Sequence, residues 1–288
     1  MSKEVHAKTG EAKETLRDTR RVITTRKFRL GSAPYLIARP LVYGLEASST
    51  VEIVRAAPAD LRRLLISGEV DAAVLPSIDL PSFGPRLSVL PAGCLAASGP
   101  TLMAKIFSQV KPDKLTLMWV DRQSHATAAL VQVLWQSLYH RKLSVIPYDA
   151  TRDKLPSDAQ SAMLIGDHVV GNPPMGYNWH IDPVAMWHEM TGLPFVFGVW
   201  ATLREDARAA LYSQLETARQ GGQEHLEQIA EQCAAAYDWP VDLALRCLSK
   251  ELQYEFTDAH REGLEEFIEM ATECGLLESP APLNYYKP

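Results

Sequence analysis

The segment TGLPFVFGVW, Thr191 to Trp200, limits what this chain can fold into more than any other. Its apolar run is bounded by Gly192 and Pro194. It is far shorter than the roughly 20 apolar residues of a membrane-spanning helix. A run of this length without polar alternation predicts a strand covered on both faces.

The flanking sequence supplies the covering layers. FRLGSAPYL, from Phe28, predicts a strand ending in a turn, and VEIVRAA predicts a second strand. Pro58 to Ser67 has Pro near its start and Gly68 after its end, the asymmetry of a helix. VDAAVLPS (Val70 to Ser77) is another strand, and LSVLPAGCLAAS leads into GPTLMAKIFS. Strand, helix and strand in short succession indicate βαβ units and a mainly parallel sheet. A second α/β stretch starts near Lys114. LTLMWVD reads as a strand, SHATAALVQVLWQSLYH as a helix with Ser124 at its N-cap, and LSVIPYD as a strand. SAMLIGDHVV reads as a strand stopping at Gly166-Asp167, GNPPMGYNW as a loop and VAMWHEM as a short helix. After Arg204, apolar positions recur every three or four residues, predicting helices to the end.

Two α/β stretches, with a late strand returning to the first, predict a bilobal α/β architecture. Lobe 1 is expected at 28–112 plus 195–288 and lobe 2 at 113–194. Ligands in such folds sit in the cleft, near strand C-terminal ends and helix N-termini. Residues 1–27 are polar and mixed in charge, as in a disordered or loosely helical extension.

Charge narrows the partners. The net charge is −6, although residues 1–27 carry eight Lys/Arg against four Asp/Glu. The remainder is therefore strongly acidic, which argues against nonspecific binding to nucleic acid or an anionic membrane. The N-terminus has no apolar core of a secretory signal, so a cytoplasmic address is expected. Cys94, Cys233, Cys247 and Cys274 form no CxxC pair and read as free thiols rather than a metal site. The oligomeric state, monomer or homodimer, is open at this level.

Four segments carry residue types suited to chemistry. In GSAPYLIARPL, from Gly31, the strand-to-helix turn is expected to face the cleft, and Arg39 offers bidentate geometry for a carboxylate or pairs on the surface. In ASGPTL, Ser98, Gly99 and Thr101 suit an anion or an ordinary turn. In DRQSHAT a strand ends and a helix begins. Ser124 and Thr127 can hydrogen-bond an anion beside the free N–H groups of the first turn, or Ser124 can simply cap the helix. His125 is an acid/base candidate or a polar surface residue. In IGDHVV, Asp167 can bind a substrate hydroxyl or cap the loop that follows. There is no HExxH, phosphate loop, GxSxG elbow or dinucleotide fingerprint.

From Phe28 to the C-terminus, GSAPYLIARPLVYGL, SGEVDAAVLPSID, GCLAASGP, SHAT, LIGD, TGLPFVFGVW and LQYEFTDAHREGLEEFIEMATECGLL follow one another. Their order and spacing resemble the chorismate dehydratases of the futalosine route to menaquinone. The resemblance implies a fold like the type II periplasmic binding proteins, with a helical C-terminus. It also implies a lyase that removes water from chorismate to give 3-[(1-carboxyvinyl)oxy]benzoate, without metal or organic cofactor. The partner would be a small molecule, chorismate or a related carboxylate. Arg39, Ser98–Gly99 and the Ser124–Thr127 helix start would hold carboxylates. The family's usual asparagine after Tyr-Leu is Ile37 here, the third residue of its Ser-x-Thr-Ser is Ala126, and a usual serine is Met103. Tyr35, Ser77, His125 and Asp167 are the candidates to replace the missing polar contact. The alternative is a small-carboxylate binding protein of the same fold with altered or lost catalysis.

Overall fold

The computed structural model describes residues 26–102, 104–150, 152–171, 173–278 and 281–288. β1 (Phe28–Ser32), β2 (Val51–Arg55), α1 (Pro58–Ile66), β3 (Ala72–Pro76) and β4 (Ser88–Ala97) open the chain. β5 (Ala104–Ser108), β6 (Leu117–Asp121), α2 (His125–Tyr139), β7 (Ser144–Tyr148), β8 (Ser161–Ile165), α3 (Asp167–Gly171), β9 (Trp179–Ile181) and α4 (Pro183–Thr191) follow. β10 (Phe195–Thr202) returns the chain, and α5 (Arg208–Glu224), α6 (Leu226–Cys233), α7 (Val241–Arg246), α8 (Asp258–Glu273) and β11 (Asn284–Tyr285) complete it.

The strands form two sheets. The first has the order β11-β4-β10-β3-β1-β2 and the second β7-β6-β8-β5-β9. Neither is wholly parallel. β10 runs antiparallel to both β3 and β4, and β5 runs antiparallel to both β8 and β9. Each sheet thus receives an antiparallel strand just after the chain has crossed from the other. β5 lies in the second sheet and not in the first lobe expected over 28–112. Its apolar run is equally suited to either sheet, and periodicity alone cannot choose. Up to residue 25, the expected N-terminal extension lies outside the described residues, as does Met103. The C-terminus is not helical to the end either: after α8, Asn284 and Tyr285 pair in parallel with β4.

β10 is buried at all of its eight positions, as expected for a strand covered on both faces. Phe195, Phe197 and Trp200 join one apolar cluster, while Val196, Val199 and Ala201 join another on the opposite face. The alternation slips one residue near Gly198, where the register against β4 shifts in a bulge. A Cβ at Gly198 would lie 2.8 Å from the Leu75 carbonyl oxygen, so only glycine allows β3 to approach this closely. The larger cluster continues from β1, β4 and β10 through α2 to β6 and β8, so one core joins both sheets. No helix among the described residues is long and apolar enough to cross a membrane.

Candidate functional site

The strand ends converge on one cavity. It lies between the two sheets and opens to solvent. Ala33, Tyr35 and Ile37 line it just beyond β1, with Val74 and Pro76 of β3, Leu95 of β4 and Phe197 and Gly198 of β10. Facing them are Gln123 to Thr127 at the start of α2, and Ile165 and Gly166 at the end of β8. The walls are mostly apolar, and polar groups gather at the α2 end.

α2 begins where β6 ends, so its first turn points its N–H groups at the cavity. Ser124 occupies the N-cap position, yet its side chain makes no capping bond, and its buried Oγ has no hydrogen-bond partner among the described residues. The ordinary capping role is therefore not what the hydroxyl does. Thr127 is buried on the same turn and also lines the cavity. Ala126 contributes a methyl group where the resemblance has a hydroxyl. Ser77, directly after cavity-lining Pro76, and Ser32, directly before cavity-lining Ala33, are fully buried, and their hydroxyls too have no partner among the described residues. Unsatisfied buried hydroxyls beside a positive helix end favour an anionic ligand.

Three polar ties bridge the two sides of the cleft. The Tyr35 hydroxyl donates to Gln123 Oε1 at 2.5 Å. His125 Nδ1 lies 2.9 Å from Asp79 Oδ2 and 3.2 Å from Oδ1. Asp167 accepts from Trp239 Nε1 at 2.8 Å and from the Leu36 backbone N–H. Burial pushes the Tyr35 phenol up, helped by Asp121 and Asp167, so it stays a neutral donor. Hydrogen bonding to Asp79 raises His125 above its ordinary value, against an opposing effect of burial. Burial lifts Asp167 to about 6, although Trp239 and Leu36 stabilise its charge. Asp121, 1% exposed, is also raised by burial, and its Oδ2 has no partner among the described residues.

Tyr35, Ile37, Ser124, His125, Ala126 and Thr127 thus meet in the cavity, with Ser77 and Asp167 directly behind its lining. Four other expected residues lie elsewhere. Arg39 Nε donates to the Tyr237 hydroxyl at 3.0 Å, and its Nη1 pairs with Glu46 at 2.9 Å. Its guanidinium also stands over the Tyr237 ring, which makes it a surface brace rather than a carboxylate anchor. The 3-10 turn of Leu36–Val42 buries Ile37 and Ala38 but carries Arg39 outward. Ser98 donates to Gln253 Oε1 at 3.0 Å in a groove outside the cavity. Gly99 has open space around it at a φ of 144°, and the Thr101 N–H donates to Asp182 Oδ2 at 2.7 Å. The turn reading of ASGPTL is the one the geometry takes. Gln123 and Asp79, which complete the ties, were missed. Their sequence signal is that Gln123 precedes Ser124 and Asp79 follows two residues after Ser77.

Ile37 is 1% exposed, its side chain faces the cavity wall, and its carbonyl accepts from the Tyr254 hydroxyl at 3.1 Å. Among the described residues, no three His, Cys, Asp or Glu are grouped to hold a metal ion. Cys94 and Cys247 are buried free thiols.

A family model described as menaquinone biosynthesis matches residues 28–273. The chain belongs to that family. It is 27% identical over 267 residues to the chorismate dehydratase of Thermus thermophilus, across 85% of this chain and 95% of that protein. Among solved structures, protein AF1704 of Archaeoglobus fulgidus superposes with a TM-score of 0.70 at 15% identity, covering 87% of this chain and 98% of the other. The alkanesulfonate-binding protein SsuA of Xanthomonas axonopodis pv. citri, solved with MOPS, gives 0.62 at 13% identity, covering 88% and 94%. The fold of this menaquinone-biosynthesis family member is the bilobal α/β fold of periplasmic binding proteins.

Proposed function

We propose that the chain is a chorismate dehydratase-like lyase, converting chorismate to 3-[(1-carboxyvinyl)oxy]benzoate. One observation carries this reading: an apolar cavity between the two sheets ends on the uncapped first turn of α2, beside a buried Ser124 hydroxyl without a partner among the described residues. The similarity of 85% of this chain to the Thermus enzyme supports the choice of substrate.

The reaction removes a proton from one ring carbon and hydroxide from its neighbour, and leaves an aromatic ring. Aromatisation supplies much of the driving force. The protein must hold the carboxylates, accept a proton and help hydroxide leave, which is work for positioning and oriented dipoles. The α2 N–H groups, Ser124 and Thr127 would hold one carboxylate. Ile37, Leu95, Val74 and Phe197 would pack the ring. His125 would transfer the proton, and Tyr35 would be a neutral donor two residues before Ile37.

Ile37 and Ala126 both put carbon where the resemblance has hydrogen-bonding groups. They favour a second reading, a binding protein or paralogue that closes on a small apolar carboxylate without turning it over. Incubation with chorismate, followed by chromatography and mass spectrometry, separates the two. Protein-dependent formation of an aromatic product lighter by one water supports the lyase. Unchanged chorismate supports the binding protein.

A further inference from the structure

Gln123 lines the cavity one residue before the Ser124 N-cap, on the short segment that joins β6 to α2. Its backbone N–H donates to Asp121 Oδ1 at 3.0 Å, which ties the segment to the end of β6. Its side-chain Oε1 accepts from the Tyr35 hydroxyl at 2.5 Å. A phenol carries one proton, and among the described residues Gln123 is the acceptor that takes it. The Tyr35 ring is itself seated. It lies over Gly166 at the end of β8, where an added Cβ would touch the ring at 3.5 Å. The oxygen arm of the Gln123 amide is therefore spent on Tyr35. The nitrogen arm, Nε2, has no hydrogen-bond partner among the described residues.

We propose that Gln123 is a specificity-determining residue whose Nε2 donates to the ligand carboxylate seated at the start of α2, with Tyr35 as its positioning residue. This rests on the carboxylate-binding part of the reading above and not on turnover. An untied glutamine can turn its amide over and offer a ligand either oxygen or nitrogen. With Oε1 committed to Tyr35, donors alone remain. An amide nitrogen only donates and a carboxylate only accepts, so the two are complementary. The free N–H groups of the first turn of α2 are donors of the same kind, one residue further on. Ile37 and Ala126 add only carbon to the lining. A ligand that places a carboxamide at the start of α2 brings N–H donors toward a site made of donors, and is selected against.

The test uses the full chain as wild type, Gln123→Leu, Gln123→Glu, Tyr35→Phe and the double variant Tyr35→Phe/Gln123→Leu. Calorimetry gives the Kd of 3-[(1-carboxyvinyl)oxy]benzoate and of its two monoamides. Gln123→Leu is expected to weaken binding of the product about tenfold. It should shrink the preference for the product over one of the monoamides by about the same factor. Gln123→Glu still accepts from Tyr35 but replaces the donor with a negative charge, and should weaken the product on the order of a hundredfold. Tyr35→Phe should weaken the product severalfold and lower the same preference, and should add nothing in the Gln123→Leu background. A product Kd unchanged in both Gln123 variants overturns the contact. A preference left intact by Gln123→Leu overturns the specificity role. Tyr35→Phe acting equally with and without Gln123 overturns the positioning role. A wild type that binds no product overturns the carboxylate reading itself, and with it this proposal. A wild type that binds product without turning over chorismate overturns the lyase reading alone. The failures are thereby told apart.

Discussion

Ile37 has no polar atom in its side chain, yet it lines the cavity on the same turn that holds Tyr35. The substitution Ile37→Asn is expected to raise kcat on chorismate, on the order of a hundredfold if one hydrogen bond to the reacting centre is restored. Burying the amide should cost about 1–3 kcal/mol of stability, read in urea melts. No gain in turnover would mean that the site serves another ligand. Asp167 makes the opposite kind of statement. Its folded-state value of about 6 lies above the ordinary carboxylate value, so the folded chain holds the proton more tightly than the unfolded one. Stability should therefore fall as pH rises from about 4 to about 6 and stay lower above that. Asp167→Asn keeps an acceptor for Trp239 and Leu36 and is expected to stabilise the chain at pH 8, by about 1 kcal/mol, with no gain at pH 3. Urea denaturation at both values checks the sign.

At the scale of elements, the legible parts were those written locally. Pro58 and Gly68 bracket α1, and the unbroken apolar run of β10 signals a strand covered twice. The β6-to-α2 junction was legible too, because a strand pattern gives way to a helical one at Ser124. What depends on a partner far along the chain was not. The direction of Arg39 is set by Tyr237 and Glu46, the sheet chosen by β5 by β8 and β9, and β11 by the edge of β4. Gln123 and Asp79 are ordinary polar residues until the closed cleft brings Tyr35 and His125 to them. The α2 start also yields a test. Replacing Ser124 by Ala and Thr127 by Val should weaken binding of 3-[(1-carboxyvinyl)oxy]benzoate about tenfold each, by calorimetry, while leaving the fold intact. α5 depends on Gly222, where a Cβ would overlap the Pro40 carbonyl. Gly222→Ala should cost on the order of 1–3 kcal/mol and disturb the turn carrying Ile37.

For the whole molecule, the apolar core joining the sheets and the three ties above it describe a cleft held shut. The His125 tie has a definite pH dependence. Its folded-state value is raised, so its stabilising contribution is complete below the ordinary histidine value and is lost as pH rises through the folded one. Closure over the cavity should accordingly loosen toward alkaline pH. The central claim is that this cavity, and not the groove beside Ser98 or another surface, holds a carboxylate at the start of α2. A crystal structure of the chain with 3-[(1-carboxyvinyl)oxy]benzoate tests it most directly. The account predicts one ligand carboxylate on the N–H groups of the first turn of α2, within hydrogen-bond reach of Ser124 and Thr127, with the ring against Ile37 and Phe197. Product bound elsewhere, or an empty cavity in crystals saturated with product, would contradict it.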